Sequence, residues 1–500
     1  MKDIFCSYYT DSEDITSYMI SKLNIENNDI ILEPSAGTGM FIDELIKNNK
    51  NLDICAIDIN DEAISILNEK YKNMDNLKIR KADTLLDEKL DYISSTNGYY
   101  TKIIGNPPYG AWQDYDKRDL LKKKYNGQYV KETYSLFLYR CIPLLRNNGK
   151  LSFIIPDTYL FLNMHSKLRK FLLTNTKIEE ILIFPSKFFP GVSFGYSNLS
   201  IITLQKVHKE KALNNNIRII RGFSNTSEFI DIIKNKNLDK FEIFNVNQKE
   251  VMELPQSRFI LTQNDNSKTL LSNNVKIGDI ADVVTGFYCG DNKKFLRVAN
   301  SSVKGEKNYE KVNMDKVYKC YSVEGIENVN EGYIPYIKSS SKDKYIRNNV
   351  EWYVRWDSDT VKFYNNDKKA RFQNSSYYFK DGIAIPMVKS SVINATLMKN
   401  NVFDQSIVGI FPKDKSKMYY LLAVMNSDIV NKLIHIINPT ANNSANYVKQ
   451  IPYIEPDTST LNKITEKVKT IIEDMTNNNY AKAQETQSEI NTIINEVYAI

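Results

Sequence analysis

The first 210 residues alternate short apolar runs with amphipathic stretches, and this alternation leaves few architectures open. Residues 29–33 read as a strand closed by a glycine-rich turn, and 41–47 as the helix behind it. Residues 52–58 are a second strand and 61–72 a helix capped by Asn60 or Asp61. A third strand at 77–81 and a fourth at 100–105 follow. The pattern continues with a helix at 134–145 stopped by Gly149, a strand at 150–156, a helix at 165–174, and late strands at 178–184 and 199–204. Strands alternating with helices predict an α/β, Rossmann-like fold: a mostly parallel sheet with helices on both faces. Such sheets form their sites at the carboxyl ends of the strands.

A polar stretch at 206–216 predicts a boundary, so the first domain is expected over 1–210 and a mixed connector over 211–275. Residues 276–455 carry short, turn-separated strands at 281–286, 333–337, 352–356, 383–388 and 407–411, and a strong helix pattern at 418–426. This predicts a mixed α+β second domain, with a polar helical tail over 456–500.

The net charge of +6 is unevenly spread. Residues 1–210 hold 27 Lys+Arg and 27 Asp+Glu, 211–455 hold 35 and 26, and 456–500 hold 4 and 7. A segment of +9 beside a neutral one fits a polyanion-binding module joined to another function. A Lys- and Asn-rich coding bias gives the same count. Composition is ordinary for a globular chain, at 42% hydrophobic and 25% charged. No apolar run reaches about 18 residues, so no membrane helix is expected. Residues 1–10 lack the apolar core of a secretory signal. Five scattered cysteines form no disulfide framework and no CxxC pair, and there are only three histidines. A reducing, cytoplasmic setting and no metal site are the expectation.

Two motifs carry chemistry. The first is Glu33-Pro34-Ser35-Ala36-Gly37-Thr38-Gly39, directly after the first strand. Glycines at 37 and 39 let a ligand approach the backbone closely. Asp58 ends the next strand, 21 residues after Gly37, where a carboxylate can accept from both ribose hydroxyls of a nucleoside, with Ile59 beside it. No Gly-Lys-Ser/Thr follows, and the third glycine of a dinucleotide loop is absent, with Asp43 and Glu44 coming in that part of the chain instead. An adenosine-type cofactor is therefore favoured over ATP or NAD.

The second motif is Asn106-Pro107-Pro108-Tyr109 at the end of the fourth strand. Two prolines stiffen the turn and remove two donors. The Asn106 side-chain oxygen and the Pro107 carbonyl can then accept from one amino group. The lone pair of an exocyclic amino group is delocalised into its ring, and two acceptors on its hydrogens favour the sp3-like nitrogen needed for attack. Tyr109 offers a flat ring on which a base can stack.

Together these residues resemble the S-adenosylmethionine-dependent amino-methyltransferases, most closely the TaqI-like, γ-group DNA adenine-N6 methyltransferases. The resemblance implies that Tyr9-Thr10 holds the methionine end of S-adenosyl-L-methionine, although Asp11 replaces the usual proline. It implies the cofactor loop at 33–41, the ribose acid at Asp58, and a carboxylate at Asp83 for the adenine amino group. It makes the Asn106–Tyr109 turn catalytic and places an aromatic near residues 188–191 against a flipped base. Phe189 is assigned that role, with Phe188 and Phe194 as rivals.

Only 66 residues separate Gly39 from Asn106, too few for a recognition domain, so that domain must follow the catalytic one. Residues 276–293 resemble the opening of a target-recognition domain, and 419–426 with 446–452 its close. The implied partner is double-stranded DNA, and the enzyme is expected either to pair with a separate restriction endonuclease or to act as a solitary methylase, the chain itself a monomer off the membrane. N4-cytosine transfer, and methylation of protein glutamine or RNA, use the same two acceptors and remain alternatives, as does a non-catalytic DNA-binding protein. Cytosine-C5 chemistry lacks its nucleophile, since no Cys follows a Pro. Pro156-Asp157 is not followed by a Glu/Asp-x-Lys pair, so methylation without cutting is expected.

Overall fold

In the computed structural model the described residues are 12–48, 51–110, 115–189, 198–234, 242–261, 265–273, 275–300, 303, 306–387, 392–437 and 444–498. They divide into two compact units, residues 1–263 and 264–500.

The first unit is built on a nine-stranded sheet. Its strands are β1 (Ile30–Glu33), β2 (Asp53–Asp58), β3 (Leu77–Lys81), β4 (Tyr100–Gly105), β5 (Leu145–Pro156), β6 (Thr176–Pro185), β7 (Asn198–Lys206), β8 (Asn216–Arg221) and β9 (Glu242–Asn247). They lie in the order β3-β2-β1-β4-β5-β7-β6-β8-β9. The first five are mutually parallel, while β7 runs antiparallel to both β5 and β6. The chain winds outward from β1 through β2 to β3 and returns to β4 on the other side of β1. The crevice at the carboxyl ends of β1 and β4 is thus the switch point of the sheet.

Helices α1 (Glu13–Leu23), α2 (Met40–Asn48), α3 (Asp61–Lys70), α4 (Glu88–Ser95), α5 (Tyr115–Lys124), α6 (Thr133–Leu144) and α7 (Ser166–Asn175) accompany the strands. Their starts follow from local chemistry. Asn60 Oδ1 accepts from Glu62 N at 2.9 Å to cap α3, and Asp87 Oδ1 accepts from Lys89 N at 3.0 Å to cap α4. Leu32, Ile57, Ile103, Ile154 and Leu182 lie in one continuous apolar core.

Three expectations are corrected. Helix α6 ends at Leu144, and Gly149, expected to stop it, lies inside β5. Leu145 is already extended and pairs with Tyr100. A Cβ at Gly149 would stand 3.0 Å from the Thr101 carbonyl, so glycine serves close strand approach there. The stretch 211–275 is not a connector: its first part adds β8 and β9 to the sheet, because Ile217, Ile219 and Ile220 are buried. The polar tail is part of the second unit. Its helices Thr458–Thr476 and Tyr480–Val497 bury Ile464, Val468, Ile471, Ile490 and Ile494 at helical spacing.

The second unit holds two four-stranded sheets. One orders β10 (Ala281–Thr285), β17 (Ile407–Pro412), β14 (Gly382–Pro386) and β15 (Thr396–Met398). The other orders β11 (Leu296–Val298), β13 (Trp352–Arg355), β12 (Tyr333–Ile337) and β16 (Val402–Phe403). An aromatic core of Phe287, Tyr336, Trp356, Tyr364, Phe372 and Tyr378 joins them. The stretches near 276 and 450 meet: Ile277 N donates to Ile451 O at 2.9 Å and Gly278 N to Lys449 O at 3.0 Å. Drawn at the observed boundary, residues 264–500 hold 31 Lys+Arg against 27 Asp+Glu, a net +4, and residues 1–263 a net +2. The basic excess is shared between the units.

Candidate active site

The loop after β1 is shaped by its glycines. Gly37 and Gly39 have φ of +52° and +88°, a region L side chains rarely adopt. A Cβ on Gly39 would stand 2.6 Å from the Tyr71 hydroxyl. That hydroxyl donates to Gly39 O at 2.9 Å and to Asp43 at 2.8 Å, so the segment after α3 clamps the turn. Lys70 pairs with Asp43 and reaches Thr38 O at 3.3 Å. Buried Ala36 donates its N–H to Ile57 O at 3.0 Å, tying the loop to β2.

Asp58 sits beside this turn. Its Oδ2 accepts from Gly37 N at 2.8 Å and its Oδ1 from Asn60 N at 2.8 Å. The carboxylate is thereby oriented at the lip of the loop, half-buried, with lone pairs left on each oxygen. Ile59 follows it, also half-buried. Asp83 lies on the next strand end, where Ala82 N donates to Asp58 O at 3.0 Å. Its Oδ1 accepts from Leu85 N at 3.0 Å, and Lys117 Nζ stands 2.7 Å from its Oδ2.

Glu33 is 1% exposed, and its Oε2 has no hydrogen-bond partner among the described residues. Burial first, then the charges of Asp58 and Asp43, push its carboxyl well above the usual range, with Lys70 opposing. A buried carboxyl beside a glycine cradle fits a ligand that brings positive charge.

Asn106, Pro107, Pro108 and Tyr109 leave the end of β4 next to this loop. Ser35 Oγ donates to Asn106 O at 3.2 Å, and Thr84 Oγ1 donates to Pro34 O at 2.6 Å. The ends of β1, β3 and β4 are thus laced together. Tyr109 is fully buried, and its hydroxyl donates to Ile154 O of β5 at 3.2 Å. Thr133 Oγ1, at the start of α6, donates to Gly110 O at 2.5 Å.

The aromatics after β6 are buried as well. Phe188 tilts against Phe229 at 6.2 Å between ring centroids, a core position. Phe189 is 2% exposed. Thr10, Tyr9, Asp11, Pro190, Gly191 and Phe194 lie outside the described residues.

Several contributors were not singled out in the sequence. Thr84 is one, and buried Arg140 another: its Nε donates to Thr84 O at 2.9 Å. A lone arginine on the apolar face of a helix was the available signal. Asp157, considered in the sequence only against a nuclease pattern, follows β5; it is 3% exposed and accepts from Asn198 Nδ2 at 3.0 Å.

The sheet order, the reversed β7 and the glycine turn at the switch point together define the class I methyltransferase fold. Residues 15–189 match the model of the Eco57I restriction-modification methylase family. The Type II methyltransferase M.HindII of Haemophilus influenzae is 28% identical over 311 residues, which cover 56% of this chain and 53% of that protein. M.AccI of Acinetobacter calcoaceticus, another Type II methyltransferase, is 24% identical over 291 residues, covering 56% and 51%. The chain spans about half the length of these relatives. Among solved structures, a nuclease-deletion mutant of the Type ISP restriction-modification enzyme LlaGI with a DNA substrate mimic aligns over 92% of this chain and 54% of its own, with TM-score 0.56 and 13% identity. The Type ISP enzyme LlaBIII bound to DNA aligns over 93% and 39%, with TM-score 0.54 and 12% identity. At such identities the likeness is one of fold.

Proposed function

We propose that the chain is a site-specific DNA methyltransferase. It moves a methyl group from S-adenosylmethionine to the N6 amino group of an adenine and is the modification partner of a restriction endonuclease. The observation that carries this reading is the Ser35–Asn106 hydrogen bond, which ties an Asn-Pro-Pro-Tyr turn to a nucleoside-type loop at the switch point of the sheet. The match to a restriction-modification methylase model over residues 15–189 supports it.

When bound, S-adenosylmethionine supplies an activated methyl group on a cationic sulfur. The chain's own residues do the positioning. Asp58, held by Gly37 and Asn60, accepts from the ribose hydroxyls, with Ile59 beside the nucleoside. Asp83 accepts from the adenine amino group. The turn from Pro34 to Gly39 cradles the remainder, with Thr10 as the further contact on the TaqI-like pattern. Glu33 meets the positive charge, which favours its ionised form.

The target base must leave the helical stack, at a cost of a few kcal/mol. Tyr109, anchored on β5, and Phe189 hold it by stacking, worth roughly 1–3 kcal/mol per ring. Both rings are buried, Tyr109 fully and Phe189 at 2% exposure. The Asn106 side-chain oxygen and the Pro107 carbonyl accept the two amino hydrogens, and Pro108 keeps the turn stiff. The nitrogen lone pair would then form the new bond to the methyl carbon as the sulfur–methyl bond breaks and its electron pair stays on sulfur, the neutral thioether leaving and the amino nitrogen releasing one proton to solvent; positioning provides most of the acceleration. The basic side chains of residues 211–455, the segment with the +9 excess, contact DNA phosphates.

Transfer of a tritiated methyl group to duplex DNA, RNA and protein, followed by nucleoside analysis of the product, tests the reading. Label recovered as N6-methyladenine in DNA supports it. Label in N4-methylcytosine, or in protein alone, overturns it.

A further inference from the structure

Helix α5 follows the Asn106–Tyr109 turn and is tied at several points to the chain after β3. Near its start, Lys117 Nζ lies 2.7 Å from Asp83 Oδ2. At its end, Lys124 Nζ donates to Asp91 Oδ2 at 2.7 Å, and Tyr125 Oη donates to Leu85 O at 2.9 Å. The helix therefore runs along residues 83–91 as a strap. Neither partner of the first tie is a loose surface group, with side-chain exposures of 30% for Lys117 and 22% for Asp83.

The geometry around Asp83 is specific. Leu85 N–H takes one lone pair of Oδ1 and the Lys117 ammonium one of Oδ2. A carboxylate offers about four such sites, so one remains on each oxygen. Without Lys117, the carboxyl group is held by one described backbone donor and can turn about its own axis. With it, both oxygens are fixed, and a neutral amino donor meets a preorganised, charge-assisted acceptor.

We infer that Lys117 is a positioning residue that fixes the Asp83 carboxylate toward the 6-amino group of the cofactor's adenine, so that nucleobase discrimination depends on α5. This rests on the reading of the site as an S-adenosylmethionine pocket.

Titration calorimetry on the full chain with two ligands tests this. One is S-adenosylhomocysteine and the other its analogue with hydrogen in place of the 6-amino group. The wild type should favour the amino ligand by roughly tenfold or more, the usual weight of a hydrogen bond to a charged group. In Lys117→Met, and in Lys117→Gln as a second neutral replacement, the preference should fall below about threefold, and Lys117→Arg should restore most of it. Weaker binding of both ligands with the preference intact would make Lys117 merely structural and overturn the inference. A wild type that binds both equally would overturn it too, by removing Asp83 as the discriminating group. A wild type that binds neither ligand would instead overturn the cofactor reading.

Discussion

The Ser35 hydroxyl donates to the main-chain carbonyl of Asn106 at 3.2 Å, joining the glycine turn after β1 to the turn after β4. The link continues through Pro34 O to Thr84, and from Thr84 O to Arg140 on α6. A ligand seated on one turn therefore feels the position of the other.

Ser35→Ala removes this tie without disturbing the buried face of either strand. A neutral hydrogen bond contributes about 0.5–1.5 kcal/mol net. If it aligns the two reactants, the loss falls on turnover. We expect kcat for methyl transfer to drop about three- to tenfold, with the KM for the cofactor within about twofold of wild type. A change in KM alone would place Ser35 in ground-state binding.

Asp58 holds Gly37 N and Asn60 N, and in the proposed function it also accepts from the ribose. Asp58→Asn keeps one oxygen acceptor and loses the charge. Hydrogen bonds to charged groups are worth about 1.5–3 kcal/mol, so the cofactor dissociation constant should rise about tenfold to a hundredfold. Calorimetry reads this directly, and an unchanged constant would remove Asp58 from the site.

The parts legible in the sequence were those with a local cause. Strands β1 to β4 were visible because apolar runs end in turn residues, and the helix Met418–Asn426 because its apolar positions are nearly continuous. Gly37, Gly39 and Asp58 announced a loop because each residue type has few other uses at a strand end. The lacing was not legible. The Ser35, Thr84, Arg140 and Lys117 contacts span gaps of 34 to 71 residues and depend on which strands are neighbours. The boundary near 210 was misplaced because a polar stretch looks alike whether it ends a domain or merely turns. The buried isoleucines of β8, only six residues long, carried the contrary signal.

Asp157 makes stability depend on pH. Burial pushes its carboxyl from an ordinary 3.8 up to about 7, with the Asn198 amide and its own backbone N–H opposing. The folded value is the higher one, so this stabilisation is complete below about pH 4 and is lost as pH rises toward 7. That difference corresponds to about 4 kcal/mol at most. Asp157→Asn keeps an acceptor for Asn198 and cannot ionise. By scanning calorimetry it should match the wild type near pH 4 and exceed it by several degrees in Tm at pH 8. An offset that is equal at both pH values would contradict this account of Asp157.

The central claim is that Asn106 holds the attacking amino group while the cofactor is bound elsewhere. Asn106→Ala tests it most directly, by measuring S-adenosylmethionine binding and tritiated methyl transfer to duplex DNA on the same preparation. The account predicts a cofactor dissociation constant within about threefold of wild type and a loss of at least about a hundredfold in transfer, about 2.7 kcal/mol of transition-state stabilisation. Transfer at the wild-type rate in that variant would contradict it.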